Sequence, residues 1–462
     1  MQLPGTTRLP AVDPSPPRAA GALPWLGSGL ALLRNPTAFF AAARRSLGDT
    51  FLVDAFDWRL FCVFSPQGVQ RLYALPEHQA SFGLATFNLV FRGKAPRELV
   101  VGRRNRPHDL FGRQEVEGYL DQLERAVALQ LDEMGSAGRF ETFAWARRLG
   151  HRLGLACWAG EEAASAANLD RLIPLLDRLD PSESFVRPAR RFVSWATQQA
   201  RERRALAGIE AIVAEILRAR ERDGVARGDF LDQIARSWDD VDGAERERSE
   251  RGPRARVRAE GERVQGIARD VALIHLGAQS NLYAALAWTL VDLLQRPEHL
   301  AIVRAGDDEH LERCANESIR LAQRSLTLRQ VLRPLELDDG KQVYRLAPGV
   351  LIATMLSVTN ATAAPGLDRF DPARWEGRRL AKAVELPARE LVSTFGHGRH
   401  ACPAQRFAIS AIRISLRRLL ERYALEPRFR SAQPRARQLG AVARAERPCP
   451  IAYRFAKGAG GS

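Results

Sequence analysis

The stretch Phe395-Gly396-His397-Gly398-Arg399-His400-Ala401-Cys402-Pro403-Ala404 constrains this chain more than any other segment. Two glycines shortly before a cysteine describe a tight loop whose backbone passes close to something flat or bulky. An amphipathic helix is expected directly after it, from Ala404 to Tyr423. Phe407, Ala408, Ala411, Ile412, Leu416 and Leu419 mark one face of that helix. A thiolate at its start feels the positive end of the helix dipole and exposed backbone N–H groups, which lower its pKa. That setting suits a metal-bound thiolate, iron included. Two other readings stand beside it. A lone cysteine next to a helix is commonly just a small buried apolar residue. His397, His400 and Cys402 could also be three zinc ligands, although a fourth ligand and the usual paired spacing are missing.

The segment resembles the haem-binding loop of the cytochromes P-450, which runs Phe-x-x-Gly-x-Arg/His-x-Cys-x-Gly. Phe395, Gly398, His400 and Cys402 fall on its positions, and Ala404 replaces the last glycine. Two more signatures of that family stand upstream in the expected order. Glu317-Ser318-Ile319-Arg320 matches Glu-x-x-Arg, and Phe370-Asp371-Pro372-Ala373-Arg374-Trp375 matches Phe-x-Pro-x-Arg-Trp. Glu-x-x-Arg alone is a common surface ion pair. The three together are specific. The resemblance is strong from about Val271 onward and faint before it.

The resemblance implies a fold that is mainly α with small β-sheets. It would be a single large P-450-type domain over residues 36–462, following an extended N-terminal segment at 1–35. Haem b (iron protoporphyrin IX) would be buried between a long central helix and the cysteine-loop helix, with Cys402 as its axial ligand. Phe395 and Gly398 would border the cofactor, and His400 and Arg329 would hold its propionates. The Trp-x-x-x-Arg of an early family helix is not found; Arg106–Arg113 stands there, with His108 or Arg113 as substitutes. Glu317, Arg320 and Arg374 are expected to form a buried charge network, which is tolerated only if every member is satisfied. Their role is then structural.

Composition narrows the alternatives. The 462 residues are 45% hydrophobic and 27% charged, enough to build a sizeable core. Five scattered cysteines without a Cys-x-x-Cys pair argue against a disulfide framework and for a reducing compartment. The net charge of +15 comes from arginines spread along the chain without an aromatic stacking array, so no nucleic-acid partner is expected. The first thirty residues lack a basic n-region followed by an apolar run. Val271–Leu294 is long enough to span a bilayer, but His275, Gln279, Ser280 and Asn281 would be penalised in lipid. No membrane anchor is therefore expected, and a cytoplasmic location is. Along the chain, a β-ribbon is expected at Thr50–Phe64, and helices almost throughout from Gln114 to about Leu217. Charged Trp238–Arg263 reads as a solvated connection, and Gln330–Thr359 as strands and turns.

The central helix departs from the family in a place that matters. Most members carry an acid followed by a threonine, which help deliver protons to bound dioxygen. Aligned through Ala287-Trp288, this chain has Ser280 and Asn281 there. An amide positions water but is a poor acid. Gln279-x-Asn281 resembles a branch that contains sterol 7α-hydroxylases and prostacyclin synthase. The first expectation is a monooxygenase that hydroxylates or otherwise oxidises a lipophilic small molecule, Asn281 and Ser280 organising the distal water. Electrons would come from a separate ferredoxin or flavodoxin-type partner, docking on Arg399, Arg406, Arg413 and Arg417. The alternative is an isomerase or dehydratase that acts on a peroxide or endoperoxide without oxygen or reductant. His275 reads as a satisfied core histidine, close enough to face a cavity entrance.

Overall fold

The computed structural model describes residues 9–21, 26–91, 94–100, 118–180, 197–224, 227–246, 253–378, 380 and 385–456. They are mainly helical with small sheets, and the chain divides into two compact units.

The first unit comprises residues 1–91, 313–402 and 433–447. Its centre is a five-stranded sheet in the order Thr50–Ala55, Trp58–Val63, Leu351–Met355, Leu326–Val331, Ala80–Ser81. The first two strands form the expected ribbon. Their two-residue turn, Phe56-Asp57, has φ of 51° and 64°, as a tight hairpin requires. Leu351–Met355 is buried throughout and pairs parallel to Trp58–Val63. Phe61, Val63, Leu72, Val331 and Ile352 fill the core on one side of this sheet.

The second unit comprises residues 92–312, 403–432 and 448–462. Helices Leu120–Asp132, Thr142–Trp158, Ala200–Asp223, Pro253–Leu294 and Gln405–Arg422 dominate it. A three-stranded sheet, Tyr423–Pro427, Pro450–Phe455 and Ala137–Glu141, closes one side. Its last strand interrupts the region expected to be helical from Gln114. Trp238–Arg263 is also not a long connection: helices run over Phe230–Arg246 and from Pro253 onward. Trp238 explains part of this, because its indole N–H donates to buried Asp270 at 2.9 Å and ties the two helices together.

The long helix Pro253–Leu294 packs on Thr142–Trp158 through a polar seam in an otherwise apolar interface. A Cβ at Gly154 would lie 2.3 Å from the Trp158 ring and 3.1 Å from the His275 ring, so glycine leaves room for both. Trp158 Nε1 donates to His275 Nδ1 at 3.1 Å. His275 Nε2 therefore carries the proton it shares with His151 Nδ1, 2.8 Å away. Both imidazoles are fully buried, and burial pushes the pKa of His275 down to about 3 and that of His151 well below its usual value. His275 faces this helix rather than a cavity entrance.

A pH dependence follows. A histidine whose folded pKa is depressed contributes stability that is full above its unfolded pKa near 6.5. That stability is lost as pH falls below it, because the unfolded chain binds the proton first. Urea unfolding of His275→Gln should show a shallower decline between pH 6.5 and 4 than the unsubstituted protein. The expected difference is about 1.4 kcal/mol per pH unit for the one histidine removed. Equal slopes would show that the pair is not held neutral.

Candidate functional site

The site in the first unit is built on a buried carboxylate. Glu317 and Arg320, one turn apart on helix Asp308–Ala322, are both 0% exposed. Arg320 donates to Glu317 through Nε at 2.8 Å and Nη2 at 2.6 Å, a fork-to-fork pair. Glu317 also accepts from Arg374 Nη1 at 3.0 Å, Trp375 Nε1 at 2.9 Å and the Asp371 backbone at 3.1 Å. The remaining donors of Arg320 go to the carbonyls of Asn360, Leu367 (2.6 Å) and Arg369 (3.2 Å). The network expected from the three signatures is therefore present and satisfied, as a buried ion pair demands.

It reaches the cysteine loop through residues that sequence reasoning missed. Asn360 donates to the carbonyls of Arg320 and Ser393, each at 3.0 Å, and accepts from the Ser393 backbone at 2.8 Å. Ser393 Oγ then accepts from the Gly396 backbone at 3.0 Å. Gln323 adds a bond to the Thr394 carbonyl at 3.4 Å. Neither Asn360 nor Ser393 carries a recognisable signal, since the Asn360 side chain acts across more than thirty residues and Ser393 is an ordinary turn serine.

The loop itself is tight. The Cys402 N–H donates to the Phe395 carbonyl at 2.6 Å, and Gly398–His400 forms a single 3-10 turn. Gly396 has φ of 77°, and a Cβ there would sit 2.8 Å from the His400 carbonyl oxygen. Gly396→Ala should therefore cost about 2 kcal/mol in a urea unfolding measurement. A neutral result would mean that the loop relaxes without strain.

Of the five cysteines, Cys402 alone is half-exposed and the other four are buried. Burial raises the thiol pKa of Cys62 and Cys157 far above the ordinary value, and that of Cys449 to about 11. Those buried thiols are inert as anions, whereas Cys402 is accessible. The zinc reading of the loop fails: His397 bonds the Val392 carbonyl at 2.9 Å and His400 faces Glu77 at 3.3 Å. These two rings and Cys402 do not gather as a ligand cluster.

Arg329 and His400 converge on one aromatic ring. The Arg329 guanidinium lies over Phe82 at 5.4 Å, and the His400 ring is 4.9 Å from the same side chain. Arg329 is fully buried, and its Nε and Nη2 meet no acceptor among the described residues. Burial lowers its pKa, opposed by Glu77 and Tyr73. A buried guanidinium in this state requires an anion from outside the chain. Together with the accessible thiol and the glycine loop, it fits haem: Cys402 would ligate the iron and Arg329 a propionate carboxylate. Glu77, held by Ser81 and the backbone of Phe82 and Gly83, is a further polar residue here that sequence reasoning missed.

These features coincide with what similarity finds. The profile of the family described as Cytochrome P450 matches residues 263–450. The human 24-hydroxycholesterol 7-alpha-hydroxylase is 22% identical over 88% of this chain and 87% of its own. Residues 263–450 belong to the cytochrome P450 family. Fungal P450 relatives match shorter stretches. Cytochrome P450 monooxygenase pyr3 of Aspergillus fumigatus is 32% identical over 36% of this chain. Cytochrome P450 monooxygenase pynD of Aspergillus niger is 25% identical over 58% of it. The chain spans 35% of the length of the first and 55% of the second.

Of the remaining residues singled out from sequence, Arg399 lies in the first unit, and Ser280, Asn281, Arg406, Arg413 and Arg417 lie in the second. Asn281 is exposed on the long helix, as is Gly277 one turn earlier, whereas Ser280 is buried. Gln279 is buried on the opposite face. His108 and Arg113 lie outside the described residues. Arg413 and Arg417 are engaged: both donate to Asp308, Arg413 at 3.0 Å, and Arg413 also lies 3.4 Å from Glu312. Arg399 and Arg406 are exposed. No helix among the described residues is long and apolar enough to cross a membrane.

Proposed function

We propose that this P450 is a monooxygenase that hydroxylates a lipophilic, sterol-like small molecule, with electrons from a separate ferredoxin or flavodoxin-type protein. The observation that carries the reading is the buried Arg329 guanidinium beside a loop that presents one accessible thiol, the arrangement a propionate-bearing haem completes. Haem bound through a cysteine thiolate supplies dioxygen activation, the thiolate favouring O–O cleavage. The chain's own residues orient and hold. Glu317, Arg320 and Asn360 fix the loop backbone, Arg329 and His400 hold carboxylates, and Asn281 orders water through its amide. Asn281 has no proton to give at neutral pH, so the protons come from solvent through the water it positions.

The sterol class is supported by the human relative, whose name specifies 7α-hydroxylation of a cholesterol derivative and whose alignment covers most of both chains. For the electron donor, Arg399 and Arg406 are the exposed cations of the set read from the sequence. Arg413 and Arg417 serve intramolecular pairs instead. A cytoplasmic location accompanies this proposal.

The amide at Asn281 also favours a second reading, isomerisation of a peroxide or endoperoxide, which needs no delivered proton pair. Labelled dioxygen separates the two. The purified enzyme is incubated with sterols, fatty acids and lipid hydroperoxides, with and without a surrogate electron-transfer chain. Label in the product only when electrons are supplied is the expected result. Unlabelled product from a peroxide, formed without oxygen or electrons, would move the protein to the isomerase class.

A further inference from the structure

Two guanidiniums stand close together in the first unit, Arg324 and Arg329, and they differ in access. Arg329 is fully buried. Arg324 is half-buried, in the turn between helix Asp308–Ala322 and strand Leu326–Val331. That turn is pinned by its neighbours. Gln323 Oε1 accepts from the backbone N–H groups of Arg324 at 3.1 Å and Ser325 at 3.2 Å, and from the Ser325 hydroxyl at 2.9 Å. The Arg324 N–H also donates to the Ala441 carbonyl at 2.9 Å, and the Gly440 N–H donates to the Arg324 carbonyl at 2.8 Å. All of these residues belong to the first unit.

The Arg324 side chain folds back on its own helix. Nη1 donates to the carbonyls of Leu321 at 3.0 Å and Gln323 at 2.8 Å. Leu321 lies in the last helical turn, where carbonyls lack helical partners, so capping accounts for Nη1. It does not account for the rest of the group. Nε and Nη2 meet no acceptor among the described residues, and no carboxylate there pairs with Arg324. Burial lowers its pKa to about 10. A charged group that still meets water and is nonetheless this desolvated lies in a recess.

Nε and Nη2 form the edge of a guanidinium that binds both oxygens of one carboxylate. The preceding residue shows where that edge stands. Gln323 Nε2 donates to the carbonyl of Thr394, which directly precedes Phe395 of the cysteine loop. Arg324 therefore springs from backbone beside that loop. We infer that Arg324 is a substrate-binding residue that pairs, through Nε and Nη2, with a carboxylate on the lipophilic substrate. Resting on the monooxygenase reading, this assignment narrows the substrate from a sterol-like lipophile to a sterol-like acid. Sealed Arg329 suits a carboxylate that stays bound, and open Arg324 suits one that enters and leaves with each turnover.

Equilibrium dialysis of the haem-loaded protein tests this with two pairs of ligands, cholanic acid with its methyl ester and palmitic acid with methyl palmitate. The sterol acid should bind about tenfold or more tightly than its ester, the difference a charge-assisted pair makes. In Arg324→Gln acid and ester should bind within about twofold of each other, with the ester's affinity unchanged. The thiolate-type spectrum of the reduced carbon monoxide complex verifies that the variant is folded. Should loss of the Nη1 cap unfold it, Arg324→Lys carries the test: it keeps a donor for the helix carbonyls, and its ammonium should lower the preference about threefold for want of the planar fork. Palmitate preferred over its ester while neither sterol binds would keep Arg324 as the carboxylate site and overturn the sterol class. Equal binding of acid and ester, no binding of either acid, or a preference that persists in Arg324→Gln overturns the carboxylate site and leaves the labelled-dioxygen test of the reaction standing.

Discussion

Arg320→Leu is expected to be among the most damaging single changes in this protein. It leaves Glu317 with Arg374, Trp375 and the Asp371 backbone but without its forked partner, and it removes a donor from the carbonyls of Asn360, Leu367 and Arg369. Breaking one partner of a buried pair costs about 3–5 kcal/mol, because the other charge stays in the interior. The carbonyls of Asn360 and Leu367, which lose this donor, add to that, whereas Arg369 keeps its bond from Arg374. Urea unfolding should show a loss at the upper end of this range, and the purified variant should carry much less haem. Arg320→Lys should rescue little, since one ammonium cannot reproduce the planar fork. A loss under 1 kcal/mol would mean that the network is not what holds this region.

Cys402→Ser tests the other essential element. Serine is nearly the same size and keeps the N–H that donates to Phe395, so the loop should survive. What goes is the thiolate. The reduced carbon monoxide complex should lose its thiolate-type absorption completely, and oxygen-dependent turnover should fall to background. Haem content should fall far less than in Arg320→Leu. An unchanged spectrum would remove Cys402 from the iron and transfer the ligand role elsewhere in the chain. Comparing the two variants separates support of the loop from the chemistry it presents.

Which features were legible in the sequence follows from how each is encoded. Cys402, His400, Glu317, Arg320 and Arg374 sit in short motifs, where residue type and spacing carry the meaning. The structure gathers the loop and its supports in the first unit as expected. Asn360 and Gln323 were invisible because their partners are distant in sequence, and Ser393 and Glu77 because an ordinary polar residue that bonds its own turn carries no motif. The ribbon at Thr50–Phe64 was legible from its alternating apolar residues. The strand Ala137–Glu141 was not, since Ala-Gly-Arg-Phe-Glu has little apolar content and is recruited by pairing with Pro450–Phe455. The charged run Trp238–Arg263 misled for the same physical reason: its helices are tied by a few contacts such as Trp238 to Asp270, not by an apolar stripe. Arg413 and Arg417 looked like docking cations because sequence does not reveal that Asp308 and Glu312 claim them.

The hydrogen bonds that anchor the cysteine loop come from Asn360, Ser393 and Gln323, all within the span the family profile matches. Heritable change in the first half of the chain leaves that anchorage untouched. The bonds that hold the loop backbone thus come from one stretch of the gene, whereas the Glu77 and Phe82 side chains beside His400 come from another.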